Sequence, residues 1–107
     1  MDELLNEFLI ETNEALEIVD VELVKLEQDP ANSQVLDHIF RLVHTIKGTC
    51  GFIGLPRLEA IAHSAENILG KFRDGVLKVE SDHVTLILSS IDRIKTIIDH
   101  LDAHASE

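Results

Sequence analysis

Apolar side chains recur at three- and four-residue steps through four stretches of this chain, and each of the first three stretches ends in a helix-stopping signal. Leu5, Phe8, Leu9, Ala15, Leu16, Val19, Leu23 and Leu26 share one face of the first stretch. It ends at Asp29-Pro30, because a residue before proline avoids the helical region. Asn32 or Ser33 can cap a second helix that turns Val35, Ile39, Leu42, Val43, Ile46 and Ile53 inward. Gly54-Leu55-Pro56 breaks that helix, with Pro56 suited to the first turn of the next. The third helix buries Leu58, Ile61, Ala62, Ala65, Ile68, Leu69 and Phe72, and stops at Asp74-Gly75, where glycine accepts a left-handed terminal conformation. Val76 to Glu80 alternates apolar and polar residues, but a lone strand has no partner, so the segment reads as a loop. Ser81 or Asp82 can cap a fourth helix carrying Val84, Ile87, Leu88, Ile91, Ile94, Ile98 and Leu101, with a fraying tail from Ala103. The pattern predicts helices over residues 2–28, 33–53, 56–73 and 82–102 of a single domain, 1–107. Short connections between amphipathic helices make an all-α, antiparallel up-down-up-down four-helix bundle the simplest packing.

Charge and composition then narrow the function. Twenty acidic residues against nine basic ones leave a net charge of −11, which disfavours nucleic-acid backbones and anionic membrane surfaces. A content of 45% apolar residues separates the chain from disordered acidic tails. No apolar run approaches the roughly 18 residues of a membrane span, and no signal segment opens the chain, so a cytoplasmic location is expected. Cys50 is the only cysteine, which excludes an internal disulfide; on the inward side of its helix it reads as a small core residue. A phosphate-cradling glycine loop and a nucleophile-elbow turn are both missing, so the chain is not expected to bind and hydrolyse a nucleotide by itself.

The stretch Val43-His44-Thr45-Ile46-Lys47-Gly48-Thr49-Cys50-Gly51-Phe52 carries the chemistry. On a helix whose Ile39, Leu42, Ile46 and Ile53 face inward, His44, Lys47, Gly48 and Gly51 line the solvent side. Each interior glycine costs about 1 kcal/mol relative to alanine. A bare patch beside His44, open to a partner's active site, would explain that cost. Lys47, three residues on, can stand beside whatever the imidazole carries, and a phosphoryl group would bring about −1.5 to −2 charges. On the third helix, His63 and Glu66 share a polar face, and an adjacent antiparallel packing could set Glu66 against His44. A carboxylate on one imidazole nitrogen fixes the tautomer and frees the other nitrogen as a nucleophile.

His44-Thr45-Ile46-Lys47-Gly48, then Gly51-Phe52, then Leu58-Glu59-x-Ile61-Ala62-His63-x-x-Glu66-Asn67-Ile68-Leu69 closely resembles the histidine-containing phosphotransfer (HPt, or P1) domain of chemotaxis-type histidine kinases, the CheA family. The resemblance covers both central helices and implies that His44 is the phosphoryl acceptor. It further implies that Glu66 is the hydrogen-bonded partner, that Lys47 and His63 are auxiliary members of a polar network, and that Nε2 carries the phosphoryl group. The implied partners are a kinase catalytic domain, which uses ATP and Mg, and a response-regulator receiver whose aspartate takes the group on. The domain itself needs no cofactor. Kinase, regulator-docking and coupling domains are missing before the end at Glu107, as is an additional C-terminal helix common in such domains, so a fragment or a natural short form is expected.

Two other functions compete with the phosphorelay carrier. A purely structural or adaptor bundle has no use for a glycine-bared histidine. A metal-binding bundle needs inward Glu and Glu-x-x-His ligands on several helices, and Glu80 to His83 offers only one such pair, at a helix start. His100 and His104 could chelate across one turn but lack a third ligand, so no metal is expected. His38 and His83 read as plain surface residues. One apolar face per helix points to a monomer.

Overall fold

The computed structural model describes the backbone of residues 3–104 and the side chains of residues 3–100. Among the described residues there are four helices, α1 Glu3–Gln28, α2 Ser33–Ile53, α3 Pro56–Arg73 and α4 Ser81–His104. Consecutive helices pack side by side and α4 closes against α1, while α1 and α3, like α2 and α4, sit across the diagonal. The result is an antiparallel four-helix bundle of 42 × 20 × 20 Å.

The connections follow from local chemistry. Asn32 leaves the helical region at φ −77°, ψ 96°, and its side-chain oxygen accepts the Val35 N–H at 3.1 Å, which satisfies one of the donors that the start of α2 leaves unpaired. At the other end Gly54 takes φ +87°, and the N–H groups of Gly54 and Leu55 both donate to the Cys50 carbonyl. Gly75 takes φ +77° past the end of α3. The start of α4 differs from the sequence expectation: the N–H groups of His83 and Val84 donate to the Glu80 carbonyl, so Glu80 stands at the cap position and Ser81 is already helical. Ala103 and His104, expected to fray, continue α4. The side chain of Leu101 lies outside the described residues.

Leu16, Val19, Leu23 and Leu26 of α1 meet Ile39, Val43 and Ile46 of α2, and Ile87, Ile91, Ile94 and Ile98 close the core from α4. Cys50 is fully buried. Leu36, which the periodicity passed over, is also buried, and half-buried Phe40 packs beside the core. From α3 come Ala62 and Ala65, both fully buried, and these small side chains let the α3 backbone lie close to α2, its most extensive neighbour. That close pairing positions the site. Ile10, Ile18, Val21 and Val24 stand exposed on α1, so the expectation of one apolar face per helix does not hold there. Among the described residues, no helix is long and apolar enough to cross a membrane.

Candidate functional site

Driving Ile39, Val43, Ile46 and Cys50 into the core fixes the rotation of α2 and leaves His44 and Lys47 on its outer edge, toward α3. Glu66 reaches them from α3. The His44 Nδ1–H donates to Glu66 Oε2, and Lys47 Nζ donates to Glu66 Oε1 at 2.8 Å. Both carboxylate oxygens are therefore engaged. Exposure divides the trio: the Glu66 side chain is 12% accessible and that of Lys47 24%, whereas that of His44 is 61% accessible. Burial pushes the Glu66 carboxyl pKa up, but the hydrogen bonds from Lys47 and His44, with their charges, more than offset this and hold it below the usual carboxylate value. Ionised and pinned, Glu66 fixes Nδ1 as the protonated nitrogen and leaves the Nε2 lone pair toward solvent.

Lys47 thus grips the far oxygen of Glu66, where the sequence reading set it beside the imidazole's cargo. Two residues beyond the sequence reading complete the setting. Phe40, one turn before His44, lies parallel to its ring at a centroid separation of 6.2 Å and an interplanar angle of 8°. The Arg73 guanidinium, from the end of α3, sits 4.0 Å from the Phe40 ring centroid. The i, i+4 spacing of Phe40 and His44 was the available signal. The contact with Arg73 was not, since it depends on how α3 packs.

The two glycines have different surroundings. A Cβ on exposed Gly48 would meet nothing within 4 Å, so this position is bare beside His44. Gly51 instead lies under the Glu59 carboxylate, into which a Cβ would run. His63 is exposed one turn before Glu66 and has no hydrogen-bond or ion-pair partner among the described residues, so the structure does not join it to the network. Phe52, two turns after His44, is 79% exposed.

His38 and His83 are not plain surface residues. The His38 Nδ1–H donates to Glu22 on α1 at 3.4 Å. The His83 Nδ1–H donates to the Lys78 carbonyl at 3.1 Å, with its ring tilted against Phe72 at 5.4 Å. Among the described residues, no three of His, Cys, Asp or Glu gather at metal-binding range. The His104 side chain lies outside the described residues.

A match to the Hpt domain family spans residues 3–104. The sensor histidine kinase CheAY of Helicobacter pylori is 39% identical over 98 residues, covering 92% of this chain and 12% of that kinase. The CheA phosphotransferase domain from Thermotoga maritima superposes with a TM-score of 0.90 at 31% identity, over 94% of this chain and 98% of that domain. The phosphorylated P1 domain of CheA3 from R. sphaeroides, solved in complex with CheY6, superposes with a TM-score of 0.90 at 25% identity, over 99% of this chain and 83% of that one. The chain spans 12% and 15% of the length of two of the curated relatives it matches.

Proposed function

This chain belongs to the Hpt domain family, as a histidine phosphotransfer domain of the CheA type, and from that premise we propose that His44 carries a phosphoryl group on Nε2 from a histidine kinase domain to an aspartate of a response regulator. One observation carries the reading: half-buried Glu66 accepts the Nδ1–H of an imidazole whose opposite edge is open to solvent.

The chemistry runs through this chain's own atoms. The Nε2 lone pair of neutral His44 attacks the γ-phosphorus of ATP held by the kinase domain, a P–N bond forms, and the bond to ADP breaks. Positive charge then develops on the ring while Nδ1 keeps its proton, and the Glu66 carboxylate on that proton stabilises it. Lys47 serves as a positioning residue, because its hydrogen bond holds the carboxylate in register with Nδ1. In the second step a receiver carboxylate attacks the phosphorus, and His44 leaves as the neutral imidazole it began as. Exposed His44 and bare Gly48 supply the open approach that both steps need.

The test mixes the domain with a CheA kinase core and labelled ATP, followed by mapping of the label. We expect it on His44 and absent from His44→Gln, which stays folded because the side chain is exposed. Label on His63 of the unaltered protein would overturn the assignment. Gly48→Leu should leave the fold intact yet slow transfer from kinase and to regulator, since leucine fills the bare position one turn from His44. Unchanged rates in that variant would give Gly48 another purpose.

A further inference from the structure

The arrangement around His44 recurs on the other flank of α2. Glu22, on α1, is 9% exposed and is one of few buried charged residues. Its Oε1 accepts Lys25 Nζ at 2.9 Å and its Oε2 accepts the His38 Nδ1–H at 3.4 Å, while the His38 side chain remains 51% accessible. Glu66, Lys47 and His44 are thus matched in kind by Glu22, Lys25 and His38: a largely shielded carboxylate, 11–12% accessible in its side chain, a lysine on one oxygen, and an exposed imidazole held through Nδ1 on the other. From this repeated geometry we infer that His38 is a second phosphoacceptor, which takes a phosphoryl group on Nε2 from small phosphoramidate-type donors.

The Lys25 hydrogen bond, against the opposing effect of burial and with help from His38, holds the Glu22 carboxyl below its usual pKa, so a carboxylate faces His38 at neutral pH. With the proton fixed on Nδ1, the Nε2 lone pair attacks the phosphorus of zwitterionic phosphoramidate. The P–N bond to nitrogen breaks and ammonia leaves with the protons it already holds. The new phosphoryl-imidazolium keeps its Nδ1 proton against Glu22, whose charge offsets that of the ring. His83, also held through Nδ1, lacks this support: its Nδ1–H meets a neutral carbonyl and its half-buried ring lies against Phe72.

What His38 lacks is the approach. One turn on from His44 is bare Gly48, whereas one turn on from His38 is half-buried Leu42, and Arg41 beside it is paired with Asp37 at 3.0 Å. A small donor reaches His38, but a protein active site meets those side chains first. Local chemistry therefore makes two nucleophiles, and the glycine patch selects one for protein partners.

The experiment uses His44→Gln treated with phosphoramidate, with sites read by intact mass and fragmentation, so its outcome does not depend on any kinase. His38 should be the first site modified, ahead of His63, His83 and His100, and His44→Gln/His38→Gln should lose that fast phase. Adding Glu22→Gln to His44→Gln should slow His38 modification by about tenfold, less than the 10²–10⁴ of enclosed acid–base groups because His38 is exposed to screening solvent. Modification of His63, His83 or His100 at an equal or greater rate would overturn the inference. So would an unchanged His38 rate in the Glu22 variant, with its fold checked by circular dichroism.

Discussion

Glu66 is the residue on which the proposed chemistry turns, because it accepts hydrogen bonds from both His44 and Lys47. Glu66→Gln keeps the shape but removes the charge, and its amide can present a donor where Nδ1–H needs an acceptor. The His44 ring should then lose its single tautomer, visible in the ring nitrogen shifts by NMR. Phosphorylation should slow by about tenfold without being abolished, less than the 10²–10⁴ of enclosed acid–base groups, since His44 is open to screening solvent. An identical tautomer ratio in both proteins would show that Glu66 does not hold the ring in solution. Glycine 48 permits a second residue-scale test: Gly48→Ala should raise unfolding stability by about 0.5–1 kcal/mol, read from urea titration, because nothing opposes the added methyl. Gly51→Ala should gain less, as the Glu59 side chain must first swing away. A loss of stability at Gly48 would mean that folding, not access, requires that glycine. His44, Lys47 and Glu66 were legible because their spacings put them on facing helix edges. The difference between Gly48 and Gly51 was not, since Glu59 reaches Gly51 across the α2–α3 turn.

Helix α2 presents one histidine to each neighbour, His38 toward α1 and His44 toward α3, and its start therefore supports both clusters. Asn32→Ala removes the acceptor of the Val35 N–H and should cost about 1 kcal/mol of stability, measured by urea unfolding. Phosphoryl transfer to His44, three turns away, should proceed at an unchanged rate in the folded fraction. A rate loss larger than the unfolded fraction explains would mean that the cap shapes the site. Pro30, Gly54, Pro56 and Gly75 made the ends of α1, α2 and α3 readable from the sequence, because each proline turns the residue before it out of the helical region and each glycine accepts the left-handed backbone past a helix end. The start of α4 was misread by one residue: Glu80, a poor capping type, takes the position beside two better ones, between half-buried Val79 and buried Val84, which both pack on the core. Packing outranked capping there. The pairing of Glu22 with His38 was hidden for a related reason, since residues 16 apart meet only in the register that the α1–α2 core selects.

Across the whole molecule, charge is unevenly placed: half of the twenty acidic residues fall in the first 29 positions, where Lys25 is the only base. Such a chain gains from protonation through relief of self-repulsion and loses from protonation of carboxylates that its fold uses. Among the described residues, Glu22 and Glu66 are the two acidic groups whose pKa is held low, and each ties α2 to a neighbouring helix or to its own lysine. A carboxyl with a depressed folded-state pKa adds stability that is fully present above its unfolded value, about 4.3, and is lost as pH falls through the folded value. The other eighteen acidic residues are common to the protein and to a Glu22→Gln/Glu66→Gln variant, so their repulsion cancels in a comparison of the two. The unaltered protein should therefore be the more stable of the pair at neutral pH, with an advantage that holds down to the unfolded carboxyl value of about 4.3 and closes as pH falls further, through the lowered folded values. Urea midpoints measured at each pH, with equal slopes in both proteins to confirm the same exposed surface, give the comparison. An advantage that stayed constant across that range would mean that lost shape, not lost charge, weakens the variant, and that neither carboxylate is bound by its lysine in solution.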